Sequence, residues 1–207
     1  MNVALIGASG FIGTDILEEL LSRGHKVTAI VRNPEKIKSR ENLLVKKADV
    51  TDTEKLAEIL KGQDAVVSAY NPGTDMSVTG AKSYAAATKK AGIKRLLIVG
   101  GAGSLEISPG VQLVDTPQFP AEWKDGARAT REVLNFIRTQ NDLDWTFFSP
   151  AMMIEPGPRT GKFRLGKDTP VFGAKNESRI STADYAVAMV DELEKPQHLK
   201  QRFTVGY

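Results

Sequence analysis

The segment Gly7-Ala8-Ser9-Gly10-Phe11-Ile12-Gly13 constrains this chain more than any other. It follows the apolar run Val3-Ala4-Leu5-Ile6 and opens a stretch with helical patterning, and the run Lys26 to Val31 closes a β-α-β unit. A strand that turns on glycines into a helix presents unpaired backbone N–H groups and the positive end of the helix dipole. Together these hold phosphate. Glycine permits the sharp turn, and its missing side chain lets a diphosphate approach the backbone. Gly7, Ser9, Gly10, Phe11, Ile12 and Gly13 are therefore the expected contacts. A glycine-rich turn without a ligand is the plainer alternative, and the flanking strand and helix weigh against it.

The end of the second strand reads the nucleotide. An acid there bonds the ribose hydroxyls of NAD, whereas an Arg accepts the 2′-phosphate of NADP. The chain has Ile30-Val31-Arg32-Asn33-Pro34, with no carboxylate before Glu35. Arg32 offers a planar, permanently charged fork suited to phosphate, and Lys36 is a second cation. NADP(H) is expected in preference, with NAD(H) as the other option. The alternative is that Arg32 is an ordinary surface charge beside a turn.

The remaining pattern alternates strand and helix. A short helix over 34–38 precedes the strand Leu43 to Ala48. Thr51 or Thr53 caps a helix over 54–60, and Ala65 to Ala69 is the fourth strand. An alanine-rich helix over 77–91 precedes the fifth strand, Leu96 to Val99. A long proline-bearing connection leads to a helix over 126–139 and a sixth strand, Trp145 to Phe148. This predicts one Rossmann-like α/β domain over residues 1–207: doubly wound, with a mainly parallel sheet and helices on both faces.

Composition narrows the function. The 207 residues carry a net charge of +3 with the cations dispersed among acids, so nucleic acid is not an expected partner. There is no cysteine, and His25 and His198 lie far apart, so no metal site is expected. No run is apolar and long enough to span a bilayer, and the chain opens on a strand rather than a signal-type segment. No membrane association and a cytoplasmic location are the expectations. The oligomeric state is open, a homodimer included.

The spacing G-x-x-G-x-x-G resembles that of short-chain dehydrogenase/reductase relatives of the extended and atypical kinds. The stretches Val99 to Leu105, Asp115 to Trp123, Ile154 to Gly161, Ile180 to Val187 and Arg202 to Val205 narrow this. They are similar to bacterial proteins described as NADH-flavin reductases, an NmrA-like atypical branch of that superfamily related to biliverdin-IXβ/flavin reductase. The resemblance implies contacts at successive strand ends. Asp49 and Val50 would lie around the adenine, and Ala69, Tyr70 and Asn71 along the ribose. Gly101 and Ala102, in the run Gly100 to Ser104, would leave room near the nicotinamide, and Pro150, Ala151 and Met152 would meet its carboxamide.

Absent residues bear on mechanism. Alcohol-oxidising members of the superfamily use a Tyr as general acid/base with a Lys four residues on. Four residues beyond Tyr70, Tyr84 and Tyr185 stand Thr74, Thr88 and Met189, and Tyr207 is the last residue. Lys89 follows Tyr84 by five, which is the wrong face. Carbonyl reduction by that pair is disfavoured, as is nucleotide-sugar epimerisation, whose substrate domain needs roughly a hundred more residues. Hydride passing directly to an oxidised flavin or quinone needs no protein acid. No residue is assigned as catalytic with certainty. A planar acceptor, with flavin as substrate rather than resident cofactor, would stack on Phe119, Trp123, Met152 and Met153 from loops at about 101–125 and 151–180. Each of the four is equally explicable as packing. Ser104 is a candidate hydrogen-bonding contact or a turn-former.

Two alternatives remain: a non-catalytic, dinucleotide-sensing regulator, and a reductase or isomerase of a small metabolite using Glu122. Otherwise Glu122 caps a helix. His25 reads as a surface turn residue, Asp184 as an acid favoured by a helix N-terminus, and Asp191 to Lys195 as a solvated helix end.

Overall fold

The computed structural model describes every residue from Met1 to Tyr207. The first half runs β1 (Asn2–Ile6), α1 (Gly13–Ser22), β2 (Lys26–Val31), β3 (Leu43–Lys47), α2 (Thr53–Leu60), β4 (Ala65–Ser68), α3 (Met76–Lys90) and β5 (Arg95–Val99). The second half adds β6 (Glu106–Ser108), β7 (Val111–Gln112), α4 (Ala121–Ile137), β8 (Asp144–Ser149), β9 (Met153–Glu155) and β10 (Arg164–Gly166). It closes with β11 (Arg179–Ser181), α5 (Thr182–Glu194) and β12 (Gln201–Gly206).

Eight strands form one sheet in the order β10-β12-β8-β5-β4-β1-β2-β3, all parallel except β10, which runs antiparallel to β12. The chain winds from β1 out to β3, then returns to β4 on the other side of β1 and continues outward. That reversal leaves a crevice above the carboxyl ends of β1 and β4, the standard ligand position of a doubly wound sheet.

The strand residues divide by parity. Val3 and Leu5 enter one core with α1 and α5, while Ala4 and Ile6 enter the other with α2, α3 and α4. In the first core the rings of Phe203, Phe148 and Tyr185 stack at 4.0 and 4.2 Å, and the Tyr185 hydroxyl donates to the Phe148 carbonyl at 2.6 Å. No helix is long and apolar enough to cross a membrane.

Several expectations need correction. Residues 34–36 form a single 3-10 turn rather than a helix to residue 38. The Asp52 side chain, not a threonine, caps α2 by accepting from the Lys55 amide at 3.0 Å. The helix α4 starts at Ala121, one residue after Pro120 and five residues earlier than patterning implied. The short pairs β6–β7 and β9–β11 and the strand β10 had no clear sequence signal.

The largest correction lies at the amino ends of the strands. His25 is buried rather than exposed, with Nε2 2.9 Å from Glu194 and Nδ1 3.3 Å from the N-terminal amine. The Asp191–Lys195 run is not simply solvated. Glu192 is buried and accepts from Arg95 at 3.0 Å, from the Gln197 and His198 amides, and faces His198 Nδ1 at 2.8 Å. Arg23 donates to Asp191 and Glu194, and Arg23 and Arg159 both grip the buried Glu19. At the opposite end, in the first turn of α5, the fully buried Asp184 does more than face a helix dipole. It accepts from the Thr160 and Gly161 amides at 2.8 Å, from Thr160 Oγ1 at 2.6 Å and from the Tyr207 hydroxyl at 2.9 Å.

Candidate functional site

Backbone geometry shapes the first crossover. Gly7 has φ +80°, and a Cβ there would sit 2.9 Å from the Ala69 carbonyl oxygen. A Cβ on Gly13 would lie 2.1 Å from the Gly7 oxygen, so the turn can close onto α1 only with glycine at both points. The Gly10 amide donates to Gly7 and the Thr14 amide to Gly10, whereas the amides of Ser9, Phe11, Ile12 and Gly13 have no protein acceptor. Free donors at a helix start above a sheet crevice are what an anionic group requires.

A cavity of about 470 Å³ opens directly above this turn. Of the residues expected at the dinucleotide, it collects Gly7, Ser9, Gly10, Arg32, Asp49, Val50, Ala69, Tyr70 and Asn71, together with Lys36. Arg32 and Lys36 are exposed and make no ion pair. Asp49 accepts from the Thr51 amide at 2.9 Å and hydroxyl at 2.7 Å. Those bonds, with Arg32 nearby, hold its carboxyl below the usual range. Burial, reinforced by Asp49, pushes the Tyr70 phenol upward and keeps it neutral. Phe11, Ile12 and Gly13 do not line the cavity. Phe11 is 60% exposed and Ile12 packs on the core, and what the two retain at the start of α1 is a pair of amides without protein acceptors.

Across Asn71 and Pro72 lies a second cavity of about 660 Å³. It brings together Phe119, Trp123, Met152 and Met153, from a loop, a helix and a strand separated in sequence, with Gly101 and Ala102 on one side. Trp123 and Met153 are about half exposed, so an apolar platform is open at the surface. The Asn71 side chain is fixed at the junction: Oδ1 accepts from the Gly73 amide at 3.1 Å, and Nδ2 donates to Thr130 Oγ1 at 3.3 Å.

Three expected contacts are placed elsewhere. Ser104 is buried away from both cavities, where its carbonyl and hydroxyl oxygens accept from Arg202, itself held by Asp168. It braces the loop and is not available to an acceptor. Pro150 and Ala151 are also buried, the Pro150 carbonyl accepting from Thr204. Of the turn after β8, only Met152 and Met153 reach the cavity. The glycines after β5 serve packing: a Cβ on Gly100 would meet the Phe147 ring at 2.2 Å, and one on Gly103 the Ala127 Cβ at 2.8 Å. Thr130, Gly126 and Ala127 of α4 were missed as lining residues. Their small size at helical spacing was the available signal.

No lysine, histidine or tyrosine lines the second cavity, and its one titratable residue is Glu122. Tyr84 and Tyr185 are buried, with phenols pushed upward by burial, and Tyr207 is bonded to Asp184. No Tyr-Lys pair faces the second cavity, and the Tyr70 and Lys36 that line the first are not spaced four residues apart on one helix.

The chain matches the NAD(P)H-binding family over residues 7–193. A Bacillus subtilis protein called uncharacterized protein YwnB is 44% identical, covering 99% of this chain and 98% of its own length. Among solved structures, a proposed epimerase from Bacteroides thetaiotaomicron is 50% identical with a TM-score of 0.96, the match covering 100% of this chain and 96% of that one. A proposed NADH-flavin reductase from Streptococcus pneumoniae is 38% identical with a TM-score of 0.89, covering 100% and 99%. A longer plant relative, cinnamoyl-CoA reductase 1 of Arabidopsis thaliana, is 33% identical over 52% of this chain, which spans 36% of it.

Proposed function

The chain belongs to the NAD(P)H-binding family, and from that premise we propose that it transfers hydride from a reduced nicotinamide coenzyme to a planar acceptor, a flavin or quinone. One observation carries the reading. An open apolar cavity lined by Phe119, Trp123, Met152 and Met153 adjoins the coenzyme cavity across Asn71 and Pro72, and it contains no Tyr-Lys pair.

The residues fit the coenzyme. The free amides of Ser9, Phe11, Ile12 and Gly13 would take the diphosphate, and Asp49, Val50 and Tyr70 would bound the adenosine. Arg32 and Lys36 would hold a 2′-phosphate, which favours NADP(H) over NAD(H). When bound, the coenzyme supplies the hydride. The chain's part is orientation: the Asn71–Pro72 edge separates the two sites, and the Trp123 and Phe119 rings with the Met152 and Met153 thioethers offer a flat, polarizable bed for the acceptor. Proton delivery comes from water, because the platform is open and the reduced acceptors are themselves weak acids. The epimerase assignment of one relative finds no support at this site, since no tyrosine or lysine reaches the second cavity.

Steady-state oxidation of NADPH and NADH with riboflavin, FMN and a soluble quinone tests the proposal. Turnover with at least one planar acceptor supports it. Saturable coenzyme binding with no turnover by any of them contradicts it and favours a nucleotide sensor instead.

A further inference from the structure

The two cavities differ in charge. The coenzyme cavity presents two unpaired cations, Arg32 and Lys36, against one acid, Asp49, whereas the only charged residue lining the second cavity is an acid, Glu122. Glu122 stands in the first turn of α4, one residue before Trp123, and it makes no ion pair. No cation of α4 forms an ion pair with it. Lys124 and Arg128 lie on the same helix but outside the lining, and Arg131 is committed to Asp115 at 2.7 Å. An acid in a first helical turn also offsets the positive end of the dipole, which would otherwise attract an anion to the cavity mouth.

Resting on the reading of this site as a planar-acceptor site, we infer that Glu122 sets the charge of the acceptor: the site takes uncharged or cationic ring systems and turns away phosphorylated ones. Riboflavin and FMN share one isoalloxazine ring and one ribityl chain and differ only in a terminal phosphate. That phosphate carries about −1.5 to −2 charges at neutral pH. Rejection by a like charge is a general route to specificity when attractive contacts are shared between competitors. Here the stacking bed is common to both flavins, so the discrimination falls to the acid at its rim. The same arrangement keeps phosphates on the Arg32 side, so the diphosphate-bearing coenzyme cannot settle equally well in reverse.

The test is the ratio of kcat/KM for riboflavin to that for FMN, with NADPH saturating, in the wild type, E122Q and E122K. The wild type should favour riboflavin by on the order of fivefold at low salt. The ratio should fall near one in E122Q and invert in E122K. Raising the salt to a few tenths molar should narrow the wild-type ratio and leave E122Q unmoved, because screening acts on the charge alone. Turnover of both flavins with a ratio near one in the wild type, or a ratio that E122Q does not change, overturns the inference while leaving hydride transfer standing. Coenzyme binding without turnover of either flavin or a neutral quinone overturns both.

Discussion

The two ends of the parallel sheet use charge in opposite ways. At the amino ends, Glu19, His25 and Glu192 are buried, Arg23 and Arg95 are half-buried, and with the more exposed Glu194 all are engaged in ion pairs. At the carboxyl ends, Arg32, Lys36 and Glu122 are exposed, line cavities and have no partners. Charges consumed within the fold hold elements together, whereas charges left over above a crevice are available to a ligand. The same residue types therefore serve stability at one end and recognition at the other.

The largest effect should come from the paired end. Glu192→Ala removes the carboxylate partner of the half-buried Arg95, which keeps only neutral oxygen acceptors, and leaves the Gln197 and His198 amides without an acceptor. Loss of one partner of a buried pair costs about 3–5 kcal/mol, read by denaturant unfolding, with coenzyme affinity of the folded fraction unaltered. A protein that kept its stability would show that this network is incidental.

Gly10→Val probes the other end. Its Cβ would stand 3.2 Å from the Gly7 oxygen, on the turn where a diphosphate must approach the backbone. Coenzyme affinity should fall by roughly 100-fold or more, while the far-UV spectrum of the folded protein is retained. Unchanged affinity in a fluorescence titration would remove the turn from the binding site.

Arg32→Ala sharpens the contrast further. NADPH should weaken by about 1.5–3 kcal/mol, the range of a charge-assisted bond, and NADH far less. Equal losses for both coenzymes would mean that Arg32 is not a phosphate ligand.

The smallest effect is a pH dependence at the paired end. Hydrogen bonds from Arg159 and Arg23 outweigh burial and hold Glu19 below its usual 4.5. Burial raises Glu194, but the pairing with His25 and Arg23 wins and lowers it too. A carboxylate depressed in the fold contributes stability above its unfolded pKa and loses it as pH falls through the folded value. The melting temperature should thus hold from neutrality to about pH 5 and drop by several degrees below 4.5. Glu194→Gln should shrink that drop.

The sequence disclosed the carboxyl end far better than the amino end. The glycine turn, the apolar strands and the cation at Arg32 are local signals, each readable within a dozen residues. The platform of Phe119, Trp123, Met152 and Met153 was legible as candidates because each follows a strand end, although its joint geometry was not. The amino-end network was invisible because its partners are remote: Arg23 and Asp191 lie 168 residues apart, and Arg95 and Glu192 lie 97 apart. A run such as Asp191 to Lys195 has the same composition whether water or arginine meets it. Ser104 was misread for the same reason, since Arg202 lies 98 residues away and draws it inward.

The most direct test is a calorimetric titration of the purified chain with NADPH and NADH at low salt. Saturable binding at one site per chain, tighter for NADPH, is the expected result. Absence of saturable heat with either coenzyme would contradict it.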